Sequence, residues 1–386
     1  MSGYDGLKAT ISGERQDVTA VAIRALLVPL AAIHRAGLEI YLAPYRWGIR
    51  KQCRIKCPVI CVGNLSSGGT GKTPFTIALS ESLMKIGFSI AVLMRGYGGS
   101  LEKSGGVVSD GERIVLSAAE SGDEAQEIAR SLKDTPVIVG KDRRLTGCLA
   151  LERFHPDLVI LDDGMQFWQL HQDFRIVMLD SERPFENGWM LPAGLLREPP
   201  SHLKRADAIV MVKKEQPEPA HQEKIKKMIE RVADSIPIFY ARFEPQSLVA
   251  LEHGREHKIN DERPVEWLKG KRISAFCGIG RPSRFYQTLQ NLGAIIEGWT
   301  QFPDHHPYSH KEVHQIVRRS QSAGAEVIVT TMKDQARLQS LPLKNWDIPI
   351  VALSTRLIVE KMDELLEMIT TSMKVNHNIA ASGDIG

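Results

Sequence analysis

The densest chemistry in the sequence lies at Ser66-Ser67-Gly68-Gly69-Thr70-Gly71-Lys72-Thr73. Closely spaced glycines let backbone N–H groups approach phosphate oxygens, and the N-terminus of a following helix adds partial positive charge. In such a loop Lys72 reaches the β- and γ-phosphates of ATP, and the Thr73 hydroxyl ligates Mg²⁺. The generic phosphate loop begins with Gly, and here that position is Ser66. A Gly-rich turn with an exposed lysine is the plain structural alternative. It is disfavoured because an apolar run precedes the segment and a helix-like stretch follows it. The metal of a phosphate loop also needs a carboxylate. Leu158-Val159-Ile160-Leu161 runs into Asp162-Asp163-Gly164, which places two carboxylates where a buried strand ends and ligands bind. One can hold Mg²⁺ while the other orients a nucleophile or a water. The plain alternative is an exposed pair in a turn.

These residues need a sheet to position them, and the surrounding pattern supplies one. Strand candidates are Val59–Val62, Ser89–Met94, Val137–Val139, Leu158–Leu161, Arg175–Leu179, Ala208–Val212 and Pro237–Phe243. Several are continuously apolar, as strands buried on both faces are. Helix-like stretches lie between them at Thr73–Ile86, Asp123–Leu132 and His221–Val232. The alternation predicts an α/β fold: a P-loop NTPase-like, mostly parallel sheet with helices on both faces. The pattern weakens around Glu244–Arg263 and then resumes. Strands are expected at Ile273–Cys277, Val327–Thr331 and Pro349–Leu353, with helices at Ser283–Leu292, Lys311–Gln321 and Leu357–Ile369. This makes a second, smaller α/β lobe. The expected division is an N-terminal extension over 1–56, a P-loop domain over 57–243, the smaller lobe over 244–374 and a fraying tail over 375–386.

Of 386 residues, 49 are Lys or Arg and 46 are Asp or Glu, so the net charge is 49 − 46 = +3. That balance gives no argument for nucleic acid, and nothing in the chain calls for an obligate protein partner. Five cysteines, an odd number in a long chain, suit a reducing compartment. Cys53, Cys57 and Cys61 are four apart, but structural zinc sites pair their cysteines differently. Val18–Ile33 is apolar except for Thr19 and Arg24, with Pro29 inside it. It is short for a membrane span, which takes about 20 apolar residues. Tyr41, Tyr45 and Trp47 follow, interleaved with Arg46, Arg50, Lys51, Arg54 and Lys56. Apolar surface beside aromatic and cationic side chains suits a helix lying on an anionic membrane surface. The alternative is a helix packed on its own domain with solvated charges.

Taken together, Val62-Gly63-Asn64, the SSGGTGKTP loop, Arg95-Gly96-Tyr97-Gly98-Gly99, Asp162-Asp163-Gly164-Met165-Gln166 and Leu191-Pro192-Ala193-Gly194 resemble the tetraacyldisaccharide 4'-kinase family, the lipid A kinases of Gram-negative bacteria. Leu196-Arg197-Glu198-Pro199, Phe276-Cys277-Gly278-Ile279-Gly280, Phe302-Pro303-Asp304-His305-His306 and Thr330-Thr331-Met332-Lys333-Asp334 continue the resemblance over nearly the whole chain. In this family the first loop position is likewise not Gly. Two residues depart from the family pattern: Phe167 stands where His is usual, and Met332 where Glu is usual.

The resemblance implies transfer of the γ-phosphate of ATP to the 4'-hydroxyl of an acylated glucosamine disaccharide 1-phosphate, giving lipid IVA. It implies Asp123 as the catalytic carboxylate, paired with His305, and Arg143 at the transferring phosphate. For Asp123 the bland reading is a helix N-cap. Tyr97, Gln166, Arg197 and Glu198 are expected at the substrate. Asp123 and His305 fall in different lobes, so lobe closure is expected to complete the site. The expected location is the cytoplasmic face of the inner membrane, with the protein peripheral or monotopic. The competing reading is a membrane-associated P-loop ATPase switch acting on a protein partner. No Asn-Lys-x-Asp guanine-reading motif is present.

Overall fold

The computed structural model describes residues 9–213, 219–251, 262–280, 282–304, 306–338, 341 and 348–383. In chain order the elements are α1 (Val18–Arg46), β1 (Val59–Gly63), α2 (Lys72–Lys85), β2 (Ile90–Met94), β3 (Gly106–Asp110), α3 (Asp123–Ser131), β4 (Pro136–Val139), α4 (Arg143–Phe154), β5 (Leu158–Asp162), β6 (Phe174–Asp180), β7 (Ala208–Val212), α5 (Pro219–Glu230) and β8 (Ile238–Ala250). There follow β9 (Glu262–Pro264), β10 (Arg272–Cys277), α6 (Pro282–Asn291), β11 (Ile295–Gln301), α7 (His310–Ser322), β12 (Val327–Thr331), α8 (Met332–Leu338), β13 (Ile350–Val359) and α9 (Met362–Gly383). The chain forms two compact units, one of Met1–Arg242 with Leu357–Gly386 and one of Phe243–Arg356.

In the first unit the strands lie in the order β3-β4-β2-β5-β1-β6-β7, and the first residues of β8 extend the sheet. Every pair among them is parallel except β3 with β4. Val62 pairs with Asp162 in β5 and with Ile176 in β6, so β1 and β5 end side by side. The phosphate loop and the Asp pair therefore leave the sheet at one edge. The continuous apolar runs are explained by their two faces. Ala91, Leu93, Ile138, Val159 and Leu161 pack toward Ala150 of α4. Val92, Met94, Val137 and Val139 pack toward Ala125 and Ile128 of α3, with Ile77 and Met84 of α2 against the same core. Helices thus cover both faces, as the alternation predicts.

The second unit repeats the scheme with β11-β10-β12-β13, all parallel. Ile273, Ala275, Val327 and Val329 face Phe285 and Leu289 of α6. Phe276, Ile328 and Ile350 face Val313, Ile316 and Val317 of α7.

Three differences from the sequence reading are structural findings. The C-terminal helix begins at Met362, because Leu357–Val359 still belong to β13. That helix packs with the first unit rather than with the smaller lobe, and its backbone continues to Gly383 where a fraying tail is expected. The N-terminal helix is longer than the apolar run. It spans 29 residues, passes through Pro29 and Pro44, and ends at Arg46. At about 44 Å it is long enough, and apolar enough, to cross a membrane. Only Ala20, Ala31 and Leu42 are buried along it.

One glycine shows how tightly the loop after β2 is held. A Cβ on Gly99 would lie 2.4 Å from the Glu120 carbonyl oxygen and 2.8 Å from the Gly122 nitrogen. Gly99→Ala is expected to cost on the order of 2–3 kcal/mol and to lower the melting temperature by several degrees. Gly37→Ala, within α1 and facing open space, is expected to gain about 0.5–1 kcal/mol. Thermal melts followed by circular dichroism distinguish the two, and equal midpoints would contradict this packing.

Candidate active site

The phosphate loop is shaped before any ligand arrives. Gly71, at φ +84°, takes the left-handed conformation that glycine tolerates and starts α2. Asn64 is fully buried and donates from Nδ2 to the Gly68 carbonyl at 3.2 Å and to Thr70 Oγ1 at 3.0 Å. Behind the loop, Ser67 N–H donates to the Leu195 carbonyl at 2.8 Å, and Ser66 bridges Leu196. The LPAG-x-LREP stretch thus forms the loop's back wall.

The two aspartates at the end of β5 have opposite surroundings. Asp162 is buried and accepts hydrogen bonds from Thr73 Oγ1 at 3.2 Å and Thr76 Oγ1 at 3.0 Å. Burial, the Glu124 carboxylate and Asp163 push its pKa up to about 7, against the pull of Lys72. Asp163, in the left-handed region at φ +53°, accepts a bidentate pair from Arg197 at 2.9 and 2.7 Å. Lys72 Nζ lies 3.5 Å from it. Although burial works in the other direction, Lys72 and Arg197 hold the Asp163 carboxyl well below the usual carboxylate range. Two neighbouring carboxylates driven apart in this way are a signature of assigned roles.

The residues fit a divalent cation of the Mg²⁺ class. Thr73 and Asp162 offer hard oxygen donors, and the Asp162 charge is disfavoured by everything around it except Lys72 and its hydrogen bonds. Among the described residues no group of three or more His, Cys, Asp or Glu side chains is set to hold an ion alone. This suits a cation that takes its other ligands from nucleotide and water. Cys57 and Cys61 are buried, and burial pushes both thiols up to about 12, far from the thiolate a metal needs.

Asp123 opens α3 directly after Gly122, which sits at φ +85°. A Cβ on Gly122 would lie 2.6 Å from the Tyr97 carbonyl oxygen, so the RGYGG loop rests on the entry to this helix. Tyr97 is 79% exposed there. Its neighbour Glu124, which the sequence reading passes over, acts on both Asp162 and Arg197 through its charge. Both acids, Asp123 and Glu124, lie in the first turn of α3.

Arg143 is the first residue of α4 and is buried, with Nη1 donating to the Lys141 carbonyl at 2.9 Å. Its guanidinium carbon lies 5.4 Å from the centroid of the Phe167 ring, which gives that departure from the family pattern a packing role. Its Nε has no hydrogen-bond partner. Burial lowers its pKa, while Asp163 and Asp162 oppose the shift. His305 lies outside the described residues.

Glu198, expected at the substrate, is instead 1% exposed and fully engaged. Its carboxylate accepts from Arg205 Nη2, meets His202 Nδ1 at 2.6 Å and accepts from Gln166 Nε2 at 3.1 Å. Its partners fix its position at the wall of a cavity that it lines together with Gln166 and Arg197. Gln166 Nε2 also donates to the Asn64 carbonyl at 3.0 Å, and its Oε1 is buried without a partner. On the other side His202 Nε2 meets Glu39 Oε1 of α1 at 3.0 Å and Arg46 Nη2 at 2.7 Å. A continuous polar chain therefore runs from α1 through His202, Glu198, Gln166 and Asn64 to the phosphate loop. Beside it lies a cavity of about 290 Å³ bounded by His34, Leu38 and Tyr41 of α1 and by Gln166 and Arg197.

The chain as a whole is similar to known proteins. A family model described as Tetraacyldisaccharide-1-P 4'-kinase matches residues 23–374. The Tetraacyldisaccharide 4'-kinase of Syntrophus aciditrophicus (strain SB) is 39% identical over 368 residues, covering 94% of this chain and 96% of its own. That of Geobacter metallireducens is 39% identical over 317 residues, covering 82% and 89%. Among solved structures, the "apo" form of LpxK from Aquifex aeolicus in complex with ATP matches with a TM-score of 0.70 at 29% identity. The match covers 91% of this chain and 99% of that one.

The raised pKa of Asp162 has a measurable sign. The folded state holds this proton up to about pH 7 and the unfolded chain releases it near 4. The stability linked to it is therefore full below pH 4 and lost as pH rises to 7. In metal-free protein at pH 8, Asp162→Asn is expected to raise stability by up to about 4 kcal/mol, and the gain should vanish near pH 4. Melting temperatures of both proteins across that range test this. A gain that does not change with pH would contradict it.

Proposed function

The chain belongs to the tetraacyldisaccharide-1-phosphate 4'-kinase family and is an ATP-dependent lipid kinase, and from that premise we propose how its residues divide the work. It moves the γ-phosphate of ATP to the 4'-hydroxyl of tetraacyldisaccharide 1-phosphate and gives lipid IVA, a step of lipid A biosynthesis. The 4'-oxygen attacks the γ-phosphorus, the bond to the β–γ bridging oxygen breaks, and ADP leaves with that electron pair. The hydroxyl proton needs an acceptor.

Asp123 is the proposed acceptor, at the mouth of the loop packed by Tyr97. The family motif supports His305 as the histidine that tunes it. Lys72 and the backbone N–H groups of Ser67–Thr73 hold the phosphates, and Asp163 fixes the direction of Lys72 through a 3.5 Å contact. Mg²⁺, held by Thr73 and Asp162, supplies charge neutralisation on the nucleotide. Arg143 is a buried cation beside both aspartates and suits the charge of the transferring group. Arg197 is tied to Asp163 and Asn64 and orders the loop. Gln166 offers its open Oε1 toward the acceptor sugar.

The observation that carries this reading is the pairing of the Lys72-Thr73 loop with two aspartates of opposite electrostatic character at one sheet edge. The membrane assignment rests on α1. Val18 is 87% exposed and Trp47 75% exposed, with Leu26, Leu30, Ile33 and Ile40 also exposed between them. An apolar stripe of that length ending in Arg50, Lys51, Arg54 and Lys56 suits the cytoplasmic surface of the inner membrane, where an acylated substrate is presented.

Purified protein incubated with ATP, Mg²⁺ and the acylated disaccharide 1-phosphate in detergent micelles is expected to give a labelled bisphosphate. Lys72→Ala and Asp123→Ala are each expected to lower kcat by about 10²–10⁴-fold with the fold intact. Near-normal turnover of Asp123→Ala would remove it as the base. ATP hydrolysis indifferent to lipid, with no lipid product, would favour the ATPase switch.

A further inference from the structure

A second cavity, of about 330 Å³, lies across Trp168 from the one beside the active site. Its cations are Arg175, Lys204 and Arg205, with Gln52 and Gln172 at its wall. The single carboxylate in its lining is Asp207, which accepts the Arg175 backbone N–H at 2.7 Å. Arg175 Nε donates to Gln172 at 3.2 Å, and its charge acts on Asp207 without a close ion pair among the described residues. Two further donors in the lining are buried and unsatisfied, Trp168 Nε1 and Arg205 Nε. Buried polar groups are normally paired, so these two donors add to the unbalanced positive character of a wall that already carries three cations and one carboxylate. Burial, opposed by Glu198 and reinforced by Arg175, presses the Arg205 guanidinium below its ordinary pKa. Arg205 is already paired with Glu198, so an anion entering the cavity would be met chiefly by Arg175 and Lys204, with the Arg205 charge behind them.

The cavity is also placed where a lipid phosphate would be met. Gln52 Nε2 donates to the Trp168 carbonyl at 2.8 Å, and the Trp168 ring lies 6.3 Å from Tyr45 of α1. The exposed apolar side of α1 and the Arg50–Lys56 cluster flank this end of the molecule in sequence. We propose that the Arg175–Lys204–Arg205 cavity is a binding subsite for a phosphate carried on a lipid, distinct from the phosphate loop. The proposal rests on the lipid-kinase reading. The shared chemistry is a phosphate mono- or diester at an acyl-bearing headgroup, either the 1-phosphate of the acceptor or an anionic phospholipid of the membrane. With the first source, the acceptor is held at one end by this cavity while its other end reaches Gln166.

The test uses the full-length protein and two variants, Arg175→Gln/Lys204→Gln and Lys204→Gln alone, checked for unchanged melting temperature. With the acceptor 1-phosphate in neutral micelles, the double variant is expected to raise the acceptor KM about tenfold or more, as loss of charge-assisted phosphate bonds does. The single variant should fall between, and kcat and the KM for ATP should stay within about twofold. With the same acceptor lacking its 1-phosphate, wild type and variant should become equal, which assigns the 1-phosphate. A variant that loses only the response to added phosphatidylglycerol assigns the phospholipid. Equal kinetics under all three conditions would overturn the subsite. A direct arm is independent of turnover. With the phosphate loop saturated by a non-hydrolysable ATP analogue, calorimetry with glucosamine 1-phosphate should show binding to wild type and at least tenfold weaker binding to the double variant. Absence of transfer by wild type with this binding difference intact would overturn the kinase reading and leave the subsite standing. Absence of both kinetic and binding differences would overturn the subsite.

Discussion

A carboxylate without water must find a partner on every side, and Glu198 is such a group. Arg205, His202 and Gln166 share its two oxygens. Removing one partner from a buried charge typically costs about 3–5 kcal/mol, far more than an exposed ion pair contributes. The geometry around Glu198 is therefore held firmly, and its partners each lead elsewhere. Gln166 leads to Asn64 and the phosphate loop, while His202 leads to Glu39 and Arg46 on α1. The long, mostly exposed helix α1 and the phosphate loop are joined through one buried charge.

The Asp pair shows how one short strand end serves two purposes. Asp162 is surrounded by burial and negative neighbours, which is the setting a divalent cation in the proposed site would relieve. Asp163, one residue on, is saturated by Arg197 and Lys72 and stays ionised. Strand β5 ends at Asp162, and the left-handed turn at Asp163 sends the second carboxylate to Lys72 and Arg197 while the first stays with Thr73 and Thr76. The left-handed backbone at Asp163 is the local cost of that arrangement.

Features set by local sequence were legible in advance. The phosphate loop, the aspartates ending β5 and most strands depend on short patterns, and the structure places them where those patterns indicate. The misses have physical causes. Helix α4 has a weak apolar period because Gly147 sits on its packed face, where a Cβ would meet Ile55 at 3.2 Å. Strand β3 is a short antiparallel edge without the apolar run of the central strands. The sequence reading starts the last helix at Leu357, whereas Leu357–Val359 complete β13 and α9 begins at Met362, since the end of the strand is set by its pairing and not by local pattern. The burial of Glu198 is not legible in the sequence, because a charged residue's burial depends on distant partners, here Arg205, His202 and Gln166, which spacing does not reveal. Pro29 looked like an interruption, yet α1 continues through it with most of its length exposed.

The central claim is that the polar chain from α1 to the phosphate loop acts as a unit. A double-mutant cycle between Glu39→Gln and Gln166→Ala, read as the rate of phosphate transfer to the acylated disaccharide, tests it most directly. The account predicts a coupling energy of at least about 1 kcal/mol between the two positions, as networked residues show. Effects that add within about 0.3 kcal/mol would contradict it.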